Sequence, residues 1–428
     1  MRSQLDAKIL SLAIARMVSA LANSFLVVVL PLYIGSQAVR MPAVTGSTIA
    51  VGGFGIDVTV ELLIAIVLSL FGFLNSLSQP ITGSVSDRTG RRKVFLLVGL
   101  ALVATGSAGY LVFTDYYLVL AMRGLQGIGA AFSIPITVAL VNELSEQGER
   151  GGNFGLFNTF RLVGFGVGPI IAGVVIAGGP YVLAGVDVTG FDAAFLVAVV
   201  GAAISFGLIT VLISDPERSS ESAGKDISIR VRGEDGGLDP VFALGVATIV
   251  MALSIAIYAP LANVINARLD QGSFLYSVQF GATVLANVFF QLPLGRLSDR
   301  YGRRPFLIGG FVLLVPSTLV QGFVTDSYVM IVARFVQGIA VAAVFAPSLA
   351  LAGDLAKEGA SGSTLSLLTM GFGLGVAVGT LMSGFLVSYG FAVPFGVAAA
   401  GGVVGLGLIL TQVSEPTPET GSPAPSDD

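Results

Sequence analysis

Apolar runs of membrane-spanning length recur twelve times along the chain, separated by short polar breaks. About 20 apolar residues cross a bilayer as a helix. On that criterion the pattern predicts spans at roughly 7–34, 60–81, 93–114, 117–141, 153–177, 191–213, 240–262, 275–295, 305–324, 327–350, 361–387 and 391–412. The most polar interior stretch, 214–239, divides the spans six and six and reads as a linker. Residues 414–428 are rich in Pro, Ser and acids and read as a disordered tail. The fold class expected is an all-α polytopic membrane protein with two six-helix bundles, 1–213 and 240–413. Two loops, 35–59 and 178–191, are long and carry Gly-rich alternating text. They read either as irregular loops or as small β-hairpins.

Lys and Arg distribute unequally between the two sides. With the N-terminus inside, sixteen fall on the inner side and two, Arg40 and Arg268, on the outer side. That bias predicts both termini in the cytoplasm. The first span, from Ile9 to Ile34, is too long for the apolar core of a cleaved signal peptide.

Composition narrows the function. The chain is 54% apolar and 11% charged, against about 25% charged in soluble domains. A soluble enzyme, a nucleic-acid binder and a disordered chain are excluded on that ground. Without Cys or His, disulfides, thiol nucleophiles and His-based metal or haem chemistry are absent. Gly224-Lys225 is followed by Asp226, so no phosphate-binding loop exists. Lys8, Lys93, Lys225 and Lys357 all sit near span ends or in loops, unsuited to a mid-membrane Schiff base. No cofactor, metal site or covalent chemistry is expected.

The two halves repeat. GSVSDRTGRR at 83–92 returns as GRLSDRYGRR at 295–304. Arg123, Gln126 and Gly127 return as Arg334, Gln337 and Gly338, Glu143 as Asp354, and Gly164, Gly168 and Gly173 as Gly375, Gly379 and Gly384. All lie at an offset of 211 or 212. Two six-helix copies suit a rocking carrier with its site between them.

These motifs resemble those of the major facilitator superfamily. The doubled loop stands after spans 2 and 8, where that family carries it. Arg123 to Ala130 is similar to its span-4 motif. Gly155, Gly164, Gly168-Pro169 and Gly173 in span 5 are similar to the antiporter motif of its drug-exporter branches, with Ala172 where Gly is usual. The resemblance runs from about residue 8 to 412. It implies a secondary transporter working by alternating access, as a monomer, on a small-molecule substrate in the lipid bilayer of the plasma membrane. Efflux is the reading the span-5 motif favours. An organic-anion uniporter, exchanger or symporter is the alternative, and a non-transporting receptor on the same fold is a third.

The resemblance also implies a cytoplasmic gate. It would comprise Gly83, Asp87, Arg88, Gly90, Arg91, Arg92 and Glu143, with Gly295, Asp299, Arg300, Gly302, Arg303, Arg304 and Asp354 in the second half. Asp87 would face the start of span 11, near Ser361 to Ser363, and Asp299 the start of span 5, near Gly152 and Asn153. Glu143 and Asp354 would pair with the arginines of their own half. Gly83 and Gly295 would admit a close neighbouring helix. The plainer reading is that the arginines only set topology.

Four arginines fall inside apolar spans: Arg16, Arg123, Arg161 and Arg334. A charge at bilayer depth costs at least about 2.5–3.5 kcal/mol, so it usually faces a wet cavity. With Asn23, Gln126, Asn158 and Gln337 at helical spacing, they are the candidate substrate cavity. The alternatives are snorkelling for Arg16 and bonds to backbone carbonyls for the others. No Asp or Glu lies deep in a span; Glu61, at an outer span end, is the nearest. The cavity therefore reads as net positive, suited to an anion, with proton coupling unsupported.

Overall fold

The computed structural model describes residues 2–51, 54–145, 150–215, 231–232, 236–355 and 361–415. Most of the linker, and residues 416–428 of the tail, lie outside them. Thirteen α-helices make up the described chain: α1 (Arg2–Gly35), α2 (Val60–Thr89), α3 (Arg92–Val112), α4 (Tyr116–Leu144), α5 (Arg150–Gly178), α6 (Gly190–Leu212), α7 (Pro240–Ala256), α8 (Ala262–Arg268), α9 (Ser273–Tyr301), α10 (Arg303–Gln321), α11 (Ser327–Leu355), α12 (Ser361–Leu386) and α13 (Ala392–Gln412). Among the described residues, twelve spans are long and apolar enough to cross a membrane, with α7 and α8 together forming the seventh. Polar side chains start several of them. Thr59 accepts from the Leu62 amide at 3.1 Å, Asp115 from Tyr117 at 3.0 Å, and Asp239 from Val241 at 2.9 Å, just ahead of Pro240. Each satisfies one of the free amides of a helix start.

The seventh span departs from the continuous helix expected over 240–262. It breaks after Ala256, passes through a 3-10 turn at Ala259–Leu261 and resumes to Arg268. Pro260 has no amide hydrogen to continue the ladder. The carbonyls left over are met from three other helices. Gln337 Nε2 donates to Ser254 O at 3.0 Å, Ser383 Oγ to Ile257 O at 2.5 Å, and Tyr276 Oη to Ala259 O at 3.0 Å. Such sites are tolerated at membrane depth only with partners of this kind.

Both long loops contain hairpins. β1 (Thr48–Val51) pairs antiparallel with β2 (Phe54–Asp57), Thr48 opposite Asp57. β3 (Tyr181–Leu183) pairs with β4 (Val186–Val188) through Ala184 and Gly185, both at positive φ, as a tight two-residue turn requires. An odd number of spans separates each hairpin from the N-terminus. Both hairpins therefore lie on one face, the hairpin face, and both chain ends on the other, the terminus face.

The glycines of α5 and α12 fix the helix contacts. A Cβ on Gly168 would meet Leu21 O of α1 at 2.7 Å, and on Gly379 Leu253 O of α7 at 2.6 Å. These glycines pack within each half. Only the third of the set crosses between halves: Gly173 lies on Ser277 of α9, and Gly384 on Glu61 of α2.

The buried apolar residues show how the halves sit. Toward the hairpin face, one continuous core joins both, from Phe25, Val29 and Ile64 to Tyr258, Leu261, Ile265 and Tyr276. Toward the terminus face the core splits. Leu12, Leu96, Leu140 and Ile209 form one cluster, and Leu244, Leu307, Val344 and Ile409 another. Among the described residues, the core is continuous between the halves on the hairpin face and divided between them on the terminus face. Asn263 of α8 joins the halves on the hairpin face, donating to Pro31 O of α1 at 3.0 Å against the bare face of Gly35.

Candidate functional site

The four intramembrane arginines separate into two kinds. Arg123 and Arg334 are enclosed in their own bundles, at 2% and 1% exposure. Arg123 donates to Gln126 Oε1 at 3.0 Å and lies 4.2 Å over the Phe71 ring. Gln126 in turn donates to Ser107 Oγ and accepts from Tyr110 Oη, both at 3.0 Å. Arg334 donates to Gln337 at 2.6 Å and lies 4.1 Å over Tyr258, the residue at the break of the seventh span. Gln337 donates to Thr318 at 2.9 Å. The repeat thus carries an Arg-Gln-hydroxyl relay into each half. In the second half Gln337 also ties the relay to α7.

Arg16 and Arg161 are only partly buried and belong to neighbouring helices, α1 and α5. Arg16 adjoins Met17, whose carbonyl meets the bare face of Gly164, three residues beyond Arg161. Arg161 clasps Asn158 Oδ1 through Nε at 3.0 Å and Nη2 at 2.8 Å. Arg16 Nε is buried and meets no acceptor among the described residues. Arg16 borders a small crevice with Ser19 of α1, Leu96 of α3, and Ser133 and Thr137 of α4. Asn23, half-buried, lies two turns along the same face of α1. On α5 the residues packed on α1 (Gly164, Gly168) and on α9 (Gly166, Gly173) leave Asn158 and Arg161 on the arc between them. The exposed Val163 and Val174 lie on the opposite arc. Asn158 and Arg161 therefore face inward, between α1 and α9.

Two uncharged polar pairs, one in each half, face inward in the same way. On α2, Gly72 and Ser76 meet α12, while Phe71, Leu74 and Thr82 meet α4. Asn75 and Gln79 fall on the arc between, opposite the exposed Leu77 and Ile81. On α9, Ser277 and Gly281 meet α5, and Thr283 and Ala286 meet α11. Asn287 and Gln291 fall between, opposite the exposed Phe289 and Leu292. The two pairs are related by the repeat offset of 212, which is the signal that could have found them.

The terminus face holds the loop motifs. Asp354 pairs with Arg303 of its own half, and Arg303 Nη2 also reaches Asp299 at 3.0 Å. At the start of α5, Asn153 donates to Ser145 Oγ at 3.0 Å, and the side chains of residues 150 to 152, where Asp299 is expected to meet this helix, lie outside the described residues. The side chains of Asp87, Glu143 and Ser361 to Ser363 lie outside the described residues. Gly83 and Gly295 do not mark tight approaches, since a Cβ would stand 3.8 Å from Pro135 and from Ala346. Gly90 and Gly302 do have a local reason, with φ of 64° and 92° at the turns ahead of α3 and α10. Arg92 is buried, Arg88 and Arg91 are exposed, and Arg300 lies in the last turn of α9. Gly155 has open space around it, and Pro169 lies inside α5.

A matched pair of clasps fastens these loops to the last helix of each half. Asp215, just past α6, accepts the Lys93 amide at 2.7 Å, and Lys93 Nζ donates to Thr210 O at 2.7 Å. Glu415, just past α13, accepts the Arg303 and Arg304 amides at 2.7 and 2.9 Å, and Arg304 Nη2 donates to Leu410 O at 2.7 Å. Each carboxylate caps the start of the third span of its half, where the helix dipole favours it. Asp215→Ala and Glu415→Ala should each cost about 0.5–2 kcal/mol. The expected result is a lower thermal unfolding midpoint of purified protein, with the two losses adding in the double variant, since the sites lie in separate halves.

A profile of the Major Facilitator Superfamily matches residues 12–234 and 244–427. Among curated relatives, "Citrate exporter 1" of Aspergillus niger is 30% identical over 119 residues, which is 26% of this chain and 21% of that protein. The chain thus aligns with about a fifth of that relative's length. Among solved structures, a bacterial homolog of the human lysosomal transporter Spinster, inward-facing and unoccupied, superposes with a TM-score of 0.72 at 12% identity, covering 96% of this chain and 95% of that one. The human organic anion transporter MFSD10 superposes with a TM-score of 0.65 at 20% identity, covering 95% and 99%.

Proposed function

The chain belongs to the Major Facilitator Superfamily, and from that premise we propose that it exports a small organic anion across the plasma membrane by alternating access. The observation that carries the anion reading is the pair Arg16 and Arg161, with Arg16 Nε buried and unpartnered, in a chain whose spans contain no mid-membrane acid. A guanidinium nitrogen taken out of water without an acceptor is costly. An anionic cargo supplies the acceptor, and Asn158 holds the Arg161 fork in place to receive it.

The span-5 motif supports the outward direction, as does the likeness to a citrate exporter. The fold shared with an organic anion transporter agrees with the cargo class. The terminus face is then cytoplasmic, in keeping with the Lys and Arg bias. Cargo enters from the terminus face, the loop motifs close behind it, and the Asn263–Pro31 seal opens on the far side. The protein works as a monomer, its first bundle running to residue 213 and its second from 240.

Coupling follows from the same inventory. A proton carrier needs a group that gains and loses its proton during the cycle. Glu61 lies in the first turn of α2 on the hairpin face, where its carbonyl meets the bare face of Gly384. Transport should survive Glu61→Gln, driven by a solute gradient or by an ion other than a proton. The test is uptake into proteoliposomes under an imposed pH gradient. If that gradient alone drives uphill transport and Glu61→Gln abolishes it, Glu61 couples protons and ordinary proton antiport replaces this reading.

A further inference from the structure

The amide pairs on α2 and α9 are not explained by packing. Asn75 and Asn287 stand near the middle of their spans, and Gln79 and Gln291 one turn nearer the terminus face. By a rise of 1.5 Å per residue, all four lie within roughly 10 Å of mid-span, as do Arg16 and Arg161. Primary amides at that depth are unfavourable unless hydrogen-bonded or wet. Gln79 Nε2 reaches Asn75 Oδ1 at a long 3.3 Å, whereas Gln291 Oε1 is buried with no partner among the described residues. Both pairs face inward, and they come from opposite halves. A neutral amide both donates and accepts. It therefore matches hydroxyl and carbonyl groups and offers nothing to a bare hydrocarbon.

We infer that Asn75 and Gln79 with Asn287 and Gln291 form a second, uncharged part of the cargo site, and that the cargo is a hydroxylated carboxylate rather than a lipophilic anion. This rests on the anion reading above: Arg16 and Arg161 take the carboxylate, and the amides take the hydroxyl groups. Sites built to bond a hydroxyl discriminate strongly against the analogue lacking it, because their own polar groups are then left unpaired. Because the two pairs stand on helices that meet the opposite half, a polyhydroxylated cargo can touch both halves at once. That contact gives the closed state something to hold.

The test compares acids matched in charge but differing in hydroxyl groups: lactate with propionate, malate with succinate, and quinate with cyclohexanecarboxylate. Binding to the purified full-length protein is read by calorimetry. The expected result is tighter binding of the hydroxylated member in at least one pair, by about tenfold or more. In Gln79→Met and Gln291→Met, which keep the side-chain volume, that ratio should fall toward one. Equal binding within every pair, or a ratio unchanged in both variants, overturns the amide site and leaves the anion reading standing. Failure of all six acids to bind overturns both.

Discussion

Replacing Arg161 by Gln is expected to weaken binding of an organic anion by roughly 30- to 150-fold, equivalent to about 2–3 kcal/mol for the loss of a charged hydrogen-bond donor. The fork matters as well as the charge. Nε and Nη2 are both engaged by Asn158, which orients the plane of the guanidinium. Lysine offers a point charge and no such plane, so Arg161→Lys should recover only part of the loss. Arg16→Gln should be smaller alone and larger in combination, since on the proposed reading both residues hold one ligand. Calorimetry on purified protein reads all four. Stronger binding of lipophilic cations by the same variants would reverse the sign of the cavity and favour drug efflux.

Tying the hairpin face shut is expected to abolish transport. Gly35 of α1 packs directly on the Asn263 side chain of α8. The chain has no cysteine, so Gly35→Cys with Asn263→Cys introduces the only thiols. Oxidised, the bond would hold the halves together across the continuous core that includes Ile34, Leu261 and Ile265. Reduced, the same protein should recover flux, and each single variant should remain active under oxidant. Uptake that persists with the cross-link formed, as judged by gel mobility after proteolysis between the halves, would mean that this face need not part.

Much of the fold was legible because membrane spans are set by length and polarity. The first six spans begin and end within a few residues of expectation, except that α2 continues through the polar loop motif to Thr89. The seventh span runs past the expected 262 to Arg268 and is broken inside. Pro260 sits so near the end of the apolar run that it passes for a terminus, and the recovery of helix at Ala262–Arg268 depends on partners from α9, α11 and α12. The hairpins could be foreseen from Gly-rich alternating text but not told from irregular loop.

The site was legible by charge and obscure by direction. Sequence spacing puts Arg16 beside Asn23, and Arg161 beside Asn158. It cannot tell an arginine facing a gap from one enclosed beneath Phe71 or Tyr258. The amides were visible in the repeat, Asn75 to Asn287 and Gln79 to Gln291, but carry no charge to draw notice. The clasp carboxylates escaped for another reason. Ser214-Asp215-Pro216 and Ser414-Glu415-Pro416 are 200 residues apart, not 211, because the later spans of the second half are closer in sequence.

Counterflow in proteoliposomes tests the central claim most directly. Vesicles holding the purified protein are loaded with an unlabelled hydroxy acid such as malate and diluted into a trace of the labelled compound. An alternating-access anion carrier should accumulate label transiently above the outside concentration with no imposed ion gradient, and Arg161→Gln should suppress it. No accumulation of any labelled organic anion, with counterflow of a lipophilic cation that Arg161→Gln leaves intact, would contradict the account.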